Sequence, residues 1–407
     1  MIQVPPNVTW AMLHPEFWLD RVSAPDSVLL DSGAVAAFNA RVYEILQMPR
    51  VLDLPDTFSR EEVQARVQQA LLSKRQYYDV TGAPVDYDTL ERETLAAIPA
   101  LDSFPIRFGL TSQRTDVRSL PTHKPLTTEP FRFPFDRAQE TTIDVGWPVA
   151  VLFDLADWSF GLTPYYWGWI RRAHITSGTR TEVEAYTQAE SFVVTVNPRC
   201  GLINTLTGEF LAAQMGTIFP LAGEQTDVYR VHLPVPVQPN SPLFAAGFAP
   251  KIFNDFQPGY LPFTMRTMIT QAFKLLGETY AWGGSRMGIF GRDCSRFIRD
   301  VYATMGVLLP RNGNEQRRVC TTQVAFTPDM SDADRKAVLC EKVTPGAILE
   351  FPGHVMLYLG CVDGEPYIIH DTSAGAYNEI IVSDLSLGHD RESGSLLRRL
   401  AYAVLPR

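Results

Sequence analysis

The chain has 407 residues, 45% of them hydrophobic and 20% charged, a composition that excludes a disordered or fibrous protein. It is too long for one compact core and predicts three or four domains. A formal net charge of −9 argues against nucleic acid or another polyanion as a general partner, and no run of about 18 apolar residues is present to span a membrane.

The start, Met1-Ile2-Gln3-Val4-Pro5-Pro6, lacks the charged and apolar regions of a signal peptide. Either the chain begins after a removed signal, which places it in the cell envelope or periplasm, or the protein stays in the cytoplasm. Residues 1–102 read as mostly helical. The stretch from Ser32 to Leu46 is one predicted helix, and Ser59 opens another, with Glu62 three residues on as in a capping box. The segment before Ser32, rich in Pro, Trp and Phe, reads as an extended bracing arm. From about Ser103 the pattern changes to short strands and turns. Trp147 to Ser159 and Tyr165 to Ile170 carry the aromatics typical of small barrels. A second strand-rich block holds Ser191 to Val196, Leu206 to Leu211 and Val228 to Leu233. Two compact β units, 103–178 and 179–250, fit this span.

The chemistry lies in 251–407. After Cys294 the apolar residues Phe297, Ile298, Val301, Tyr302 and Met305 mark one face of a helix, and Gly306 is a natural stop. Asp293 is a good N-cap, so Cys294 falls in the first turn, where unpaired N–H groups and the dipole favour a thiolate. The charge of Asp293 opposes that thiolate, so an imidazolium is needed to tip the balance. Farther on, His354 opens one apolar run and His370 closes another, and Asp363-Gly364 between them is a hairpin turn signal. A hairpin lets the two histidines meet. The face each one takes is open, because a one-residue slip inverts it. A thiol, a base and a polar group that orients the base are what cysteine catalysis needs.

The other cysteines, Cys200, Cys320, Cys340 and Cys361, read as small core residues and form no disulfide framework. His14, His123, His174, His232 and His389 have no second ligand at metal spacing, so no metal or other cofactor is expected.

The region from Lys251 onward resembles the NlpC-type cell-wall peptidases, a papain-like family. The resemblance rests on Tyr280, Trp282, Gly283 and Gly284, on Asp293-Cys294-Ser295, on Pro310, Arg311 and Gln316, and on His354. Arg292 and Arg296 depart from it, standing where an aromatic and a glycine are commonest. The β-rich part resembles the paired bacterial SH3-like domains found ahead of some such catalytic domains. That match rests on the stretch from Phe135 to Thr141, on Gly146, on Asp157-Trp158 and on Tyr166 to Ile170. The implied fold is α+β and multidomain, a helical N-terminal segment and two SH3-like barrels preceding a papain-like domain.

The resemblance implies that Cys294 attacks, His354 is the base and His370 orients it. The Cys294 N–H, with Tyr280 nearby, would stabilise the oxyanion. It also implies that Glu140 and Tyr166 act with Asp293 and Ser295 to hold the free amino terminus of a peptidoglycan stem peptide. The implied reaction is hydrolysis of the γ-D-glutamyl to diamino-acid bond. Other readings are an endopeptidase on intact wall, a wall-binding protein without activity, and an acyltransferase on the same fold.

Overall fold

A computed structural model gives the structure of residues 4–132, 135–235, 244–286, 288–373, 376–390 and 392–407. Contacts divide the chain into two compact units. One comprises Met1–Met48, Tyr260–Tyr280 and Gly291–Arg407, and the other Pro49–Gly259 and Ala281–Phe290. The division therefore runs through the helical segment read at 1–102. Among the described residues, no helix is long and apolar enough to cross a membrane.

Helix α1 (Ser32–Leu46) belongs to the first unit, its N-terminus capped by the Asp31 side chain, which accepts from the Ala34 N–H at 2.8 Å. Helix α2 (Arg60–Ala70) belongs to the second. Its capping box forms as the sequence suggests: Glu62 N–H donates to Ser59 Oγ, and Ser59 N–H donates to the Glu62 carboxylate at 2.7 Å. Short strand pairs, Thr57–Ser59 with Ser103–Pro105 and Tyr77–Tyr78 with Pro84–Val85, punctuate the helices of this stretch.

The second unit contains two seven-stranded antiparallel sheets. The first has strands β1 (Arg107–Thr111), β2 (Thr115–Arg118), β3 (Gln139–Ile143), β4 (Pro148–Leu155), β5 (Trp158–Leu162), β6 (Trp167–Arg171) and β7 (Ile175–Ser177), in the order β7-β1-β4-β5-β6-β2-β3. The other lies between Phe192 and Pro258. Each ladder has two edge strands rather than a closed ring. The aromatics do what their spacing suggests: Phe153, Phe160, Trp167 and Trp169 are buried together, sealed by Val63 and Val67 of α2. A small hairpin, β8 (Ser285–Arg286) with β9 (Ile289–Phe290), completes this unit.

The first unit is built on a six-stranded antiparallel sheet: β10 (Thr321–Ala325), β11 (Ile348–Phe351), β12 (His354–Val362), β13 (Glu365–Thr372), β14 (Glu379–Asp384) and β15 (Tyr402–Leu405), ordered β10-β15-β11-β12-β13-β14. Helices α3 (Met265–Phe273) and α4 (Cys294–Ala303) pack on each other, and α4 lies against β12 and β13. Helix α5 (Gly313–Val319) follows, and then α6 (Asp332–Lys342), whose Leu339 joins Met356, Tyr358 and Ile368 in a separate core cluster. Cys340 on α6 is disulfide-bonded to Cys361 on β12, their Cα atoms 5.5 Å apart. This corrects the reading of both as core thiols. Cys340 is exposed and Cys361 half-buried, and only the packing of α6 along β12 brings together residues 21 apart in sequence. Cys200 and Cys320 are buried and form no disulfide among the described residues.

The β12–β13 hairpin turns where expected, with Asp363 (φ 51°) and Gly364 (φ 80°) both left-handed, as a two-residue turn of this type requires. One feature of it was not legible. Val362 pairs with Glu365 and Gly360 with Tyr367, but Tyr358 pairs with Ile368, so Leu359 is the extra residue of a β-bulge. Side chains alternate along a strand, so without the bulge His354 and His370 would face opposite sides. With it they share one face. Gly360, at φ 124°, makes the bulge possible. Gly360→Ala should therefore lower stability by about 1–3 kcal/mol, the range for backbone held in a disfavoured region. Chemical denaturation checks this.

Candidate active site

The start of α4 is assembled by local hydrogen bonding. Asp293 caps the helix, its Oδ1 accepting from the Arg296 N–H at 3.0 Å. Arg311 forks onto the same carboxylate, with Nη1 to Oδ1 at 3.0 Å and Nη2 to Oδ2 at 2.6 Å, and also donates to Ser295 Oγ at 2.8 Å. Both partners of this ion pair are buried. The charge of Asp293, which the sequence left to be balanced by an imidazolium, is thus met first by Arg311. Gln316 on α5 ties the loop down, its amide donating to the carbonyls of Ser295 at 2.9 Å and Pro310 at 3.0 Å.

Cys294 is the first residue of α4. The Val355 N–H donates to its sulfur, so the thiol sits at the head of β12, one residue from His354. Burial pushes the thiol up to about 12, the charge of Asp293 adds to this, and the Val355 N–H pulls the other way. His354 is moved in the opposite sense, down to about 4, by burial and then by Arg399. The thiolate expected at the helix start meets a larger opposing effect, since withdrawal from water disfavours both charges. Cys294 is thus pushed toward the thiol and His354 toward the neutral imidazole, although both side chains are only half-buried.

His354 Nε2 and His370 Nδ1 are 2.8 Å apart, and His370 Nε2 lies 3.4 Å from Ser383 Oγ on β14. His370 is fully buried, and burial, followed by the neighbouring His354, holds it well below the usual range. Tyr280 is buried and stays a phenol, pushed upward by burial and by Cys294. These residues, with Asp293 and Ser295, all belong to one unit. Glu140 and Tyr166 belong to the other. Glu140 is half-buried, accepts from Ser119 Oγ, and is the extra residue of a bulge, since Val117 pairs with Thr141 and Arg118 with Gln139. Tyr166 lies in the turn between β5 and β6, where its N–H donates to Thr163 Oγ1 at 3.1 Å. Among the described residues, no group of three or more His, Cys, Asp or Glu is placed to hold a metal ion.

Two features have surroundings that the sequence did not reveal. Arg292 and Arg296 are fully buried and converge with Arg299 on Asp300, at 2.8, 2.7 and 3.1 Å, while Arg292 also donates to Glu278 at 2.5 Å. Against the upward push of burial, the three guanidiniums hold Asp300 down to about 2. The second is Asp371. It is fully buried, and neither carboxyl oxygen has a hydrogen-bond partner among the described residues. Burial, then Asp293 and Glu278, raise it well above the usual carboxylate range.

An acid raised in the folded state binds its proton more tightly there than in the unfolded chain, so it costs stability as pH rises above its unfolded pKa. Asp371→Asn removes that cost and keeps the shape. The variant should melt higher than wild type at pH 7, and the gap should close below pH ~4, where the unfolded chain is also protonated. Thermal melts across pH check both.

Residues 277–390 match the model of the NlpC/P60 family, so a domain of that family occupies the C-terminal part of the chain. Over 98 residues the chain is 33% identical to "Probable endopeptidase p60" of Listeria innocua, a span of 23% of this chain and 17% of that protein. Over 126 residues it is 29% identical to "Bifunctional muramidase/DL-endopeptidase CwlT" of Bacillus subtilis, 31% of this chain and 33% of that one. The chain thus spans a third or less of the length of these curated relatives. Its fold is similar to that of a solved NlpC/P60 endopeptidase from Photobacterium damselae subsp. piscicida, with a TM-score of 0.69 at 16% identity over 100% of this chain and 96% of that chain.

Proposed function

We propose that the protein is a papain-like cysteine peptidase that hydrolyses the γ-D-glutamyl to diamino-acid bond of peptidoglycan stem peptides. The observation that carries this is the 2.8 Å contact between His354 and His370 at the head of the strand whose Val355 N–H meets the Cys294 sulfur. The family match over 277–390 and the names of the relatives, endopeptidases in both cases, support the same class.

The hydrogen-bond chain suggests how the base is set. If His370 Nε2 donates to Ser383 Oγ, His370 Nδ1 is the acceptor and His354 Nε2 carries the proton. That tautomer leaves His354 Nδ1 as the nitrogen that takes the thiol proton as sulfur attacks the carbonyl. The oxyanion forms beside the Cys294 N–H at the helix start, with the Tyr280 phenol as a further donor. The protonated His354 then gives its proton to the leaving amine, and water releases the acyl group by the reverse order of proton transfers. Ser383 is a positioning residue that the sequence reading missed.

The seven-stranded sheets are read as SH3-like units, and Glu140 and Tyr166 as the residues that favour a free L-alanine amino terminus. The disulfide between Cys340 and Cys361 fits an oxidising compartment such as the cell envelope.

Cys294→Ala should abolish hydrolysis of L-Ala-γ-D-Glu-diaminopimelate with folding intact. His354→Ala should be nearly as damaging, while His370→Asn keeps part of the activity because an amide also holds the ring. With the base held at about 4, kcat/KM should persist to pH ~5 and fall below it. Retained turnover by Cys294→Ala sinks the assignment.

Recognition is tested apart from chemistry. Glu140→Gln should lower kcat/KM on the free stem peptide more than tenfold, since losing one partner of a desolvated charge pair costs about 2–5 kcal/mol. Alkylation of Cys294 should be unchanged. Wild type should barely cleave the N-acetylated peptide. Efficient cleavage of that peptide would instead point to an endopeptidase acting on intact wall.

A further inference from the structure

The unit built from 49–259 and 281–290 holds a cavity of about 590 Å³. That volume is in the range of small-molecule sites. One wall is β2 and its approach, with Arg114, Asp116 and Arg118 at alternate positions and hence on one face. Gln139 of β3 adjoins them, Arg171 and His174 come from the end of β6 and the turn after it, and His123 from the loop before β3. The β8–β9 hairpin adds Ser285, Arg286 and Phe290.

Four guanidiniums and two carboxylates line this space. Asp136 is fully engaged, paired with Arg118 at 2.9 Å and accepting from the backbone N–H groups of Leu126 and Ala138. Asp116 accepts from Gln139 at 3.0 Å, and burial pushes its carboxyl up toward the neutral form. Two carboxylates from outside the lining, Asp144 and Asp157, stand 3.7 Å from Arg114 and 3.5 Å from Arg171. Arg286 forms no ion pair among the described residues and is exposed at the mouth. The buried Arg118 has an Nε with no hydrogen-bond partner among the described residues.

The histidines add donors rather than charge. Arg171 can only donate, and its Nη1 lies 2.9 Å from His123 Nε2, so that nitrogen accepts and the proton of the neutral ring sits on Nδ1. His174 makes its contact with Thr115 Oγ1 at 2.8 Å. The lining itself therefore sets four guanidiniums against two carboxylates, Arg286 having no ion pair among the described residues, with Phe290 and Pro125 as apolar surface. Charge withdrawn from water needs a counter-charge, and the guanidinium fork fits the oxygens of a carboxylate or a phosphate.

We propose that this cavity is a binding site for a small oxyanion ligand of about monosaccharide size, a carboxylated or phosphorylated sugar or polyol. Arg286 and Arg171 grip the anionic group, and Phe290 covers the carbon skeleton. The site lies wholly in the unit that lacks Cys294, and it stands whether or not the peptidase reading holds.

Calorimetric titration of the full chain with three probes tests it: N-acetylmuramic acid, glycerol 3-phosphate and neutral N-acetylglucosamine. At least one of the two anions should bind, and the stronger one identifies the source of the oxyanion. The neutral sugar should not bind, and raising the salt should weaken the complex. Arg286→Glu and Arg171→Glu, singly and together, should weaken anion binding about tenfold or more per charge reversed. Arg286 is exposed, so its reversal should leave the melting temperature and the hydrolysis of stem peptide unchanged. Absence of binding by both anions would overturn the proposal. So would equal binding of the neutral sugar, or anion binding that survives both charge reversals.

Discussion

The burial of His370, beside a half-buried Cys294 and His354, is the constraint on which the rest of the site depends. Helix α4 is buried along nearly its whole length, and His370 and Asp371 have no exposure at all. Each charge formed there loses several kcal/mol of hydration. The dipole of a helix start returns at most about 2 kcal/mol, and only in favourable geometries. The burial effect is the larger one here, so the thiol and the imidazoles are pushed toward their neutral forms. On the proposed peptidase reading, this makes the resting thiol a poor general nucleophile and confines its reactivity to bound substrate.

The same constraint explains the polar architecture around α4. A carboxylate at the N-cap is needed to start the helix, yet it stands next to the nucleophile. Arg311 resolves the conflict by taking both oxygens of Asp293 in a buried fork. On the helix itself, Asp300 gathers three guanidiniums and Arg292 reaches on to Glu278. Removing one member would strand another charge out of water, so the cluster holds α4 in one setting. This gives a structural reason for Arg292 and Arg296, the two departures from the family pattern. Asp371 is the exception, an acid with no hydrogen-bond partner among the described residues, and it is tolerated because it keeps its proton.

Much of the site was legible because its parts are local. The cap, the helix start and the apolar face after Cys294 lie within a dozen residues, and Asp363-Gly364 fixes a hairpin by its own backbone preference. The rest was not legible because it depends on neighbours distant in sequence. The bulge at Leu359 decides which face His354 shares with His370, and nothing in the residue types marks it except Gly360. Ser383 reaches His370 from the next strand. Cys340 meets Cys361 only after α6 packs on β12. The buried arginines look like surface residues until Asp300 is seen among them, although their i, i+4 and i, i+3 spacing on an apolar helix was a usable signal. In the other unit, the aromatic run from Trp147 to Ile170 did foretell a sheet core, whereas the cavity beside β2 draws on residues from 113 to 290.

The central claim is that Cys294 forms a covalent acyl intermediate during peptide cleavage. It is tested most directly by mixing enzyme with L-Ala-γ-D-Glu-diaminopimelate, quenching in acid within a turnover, and mapping the adduct by mass spectrometry. The account predicts an L-Ala-γ-D-Glu acyl group as a thioester on the peptide that contains Cys294, and on no other cysteine. Turnover with no acyl group on Cys294, or turnover that persists after Cys294 has been alkylated, would contradict it.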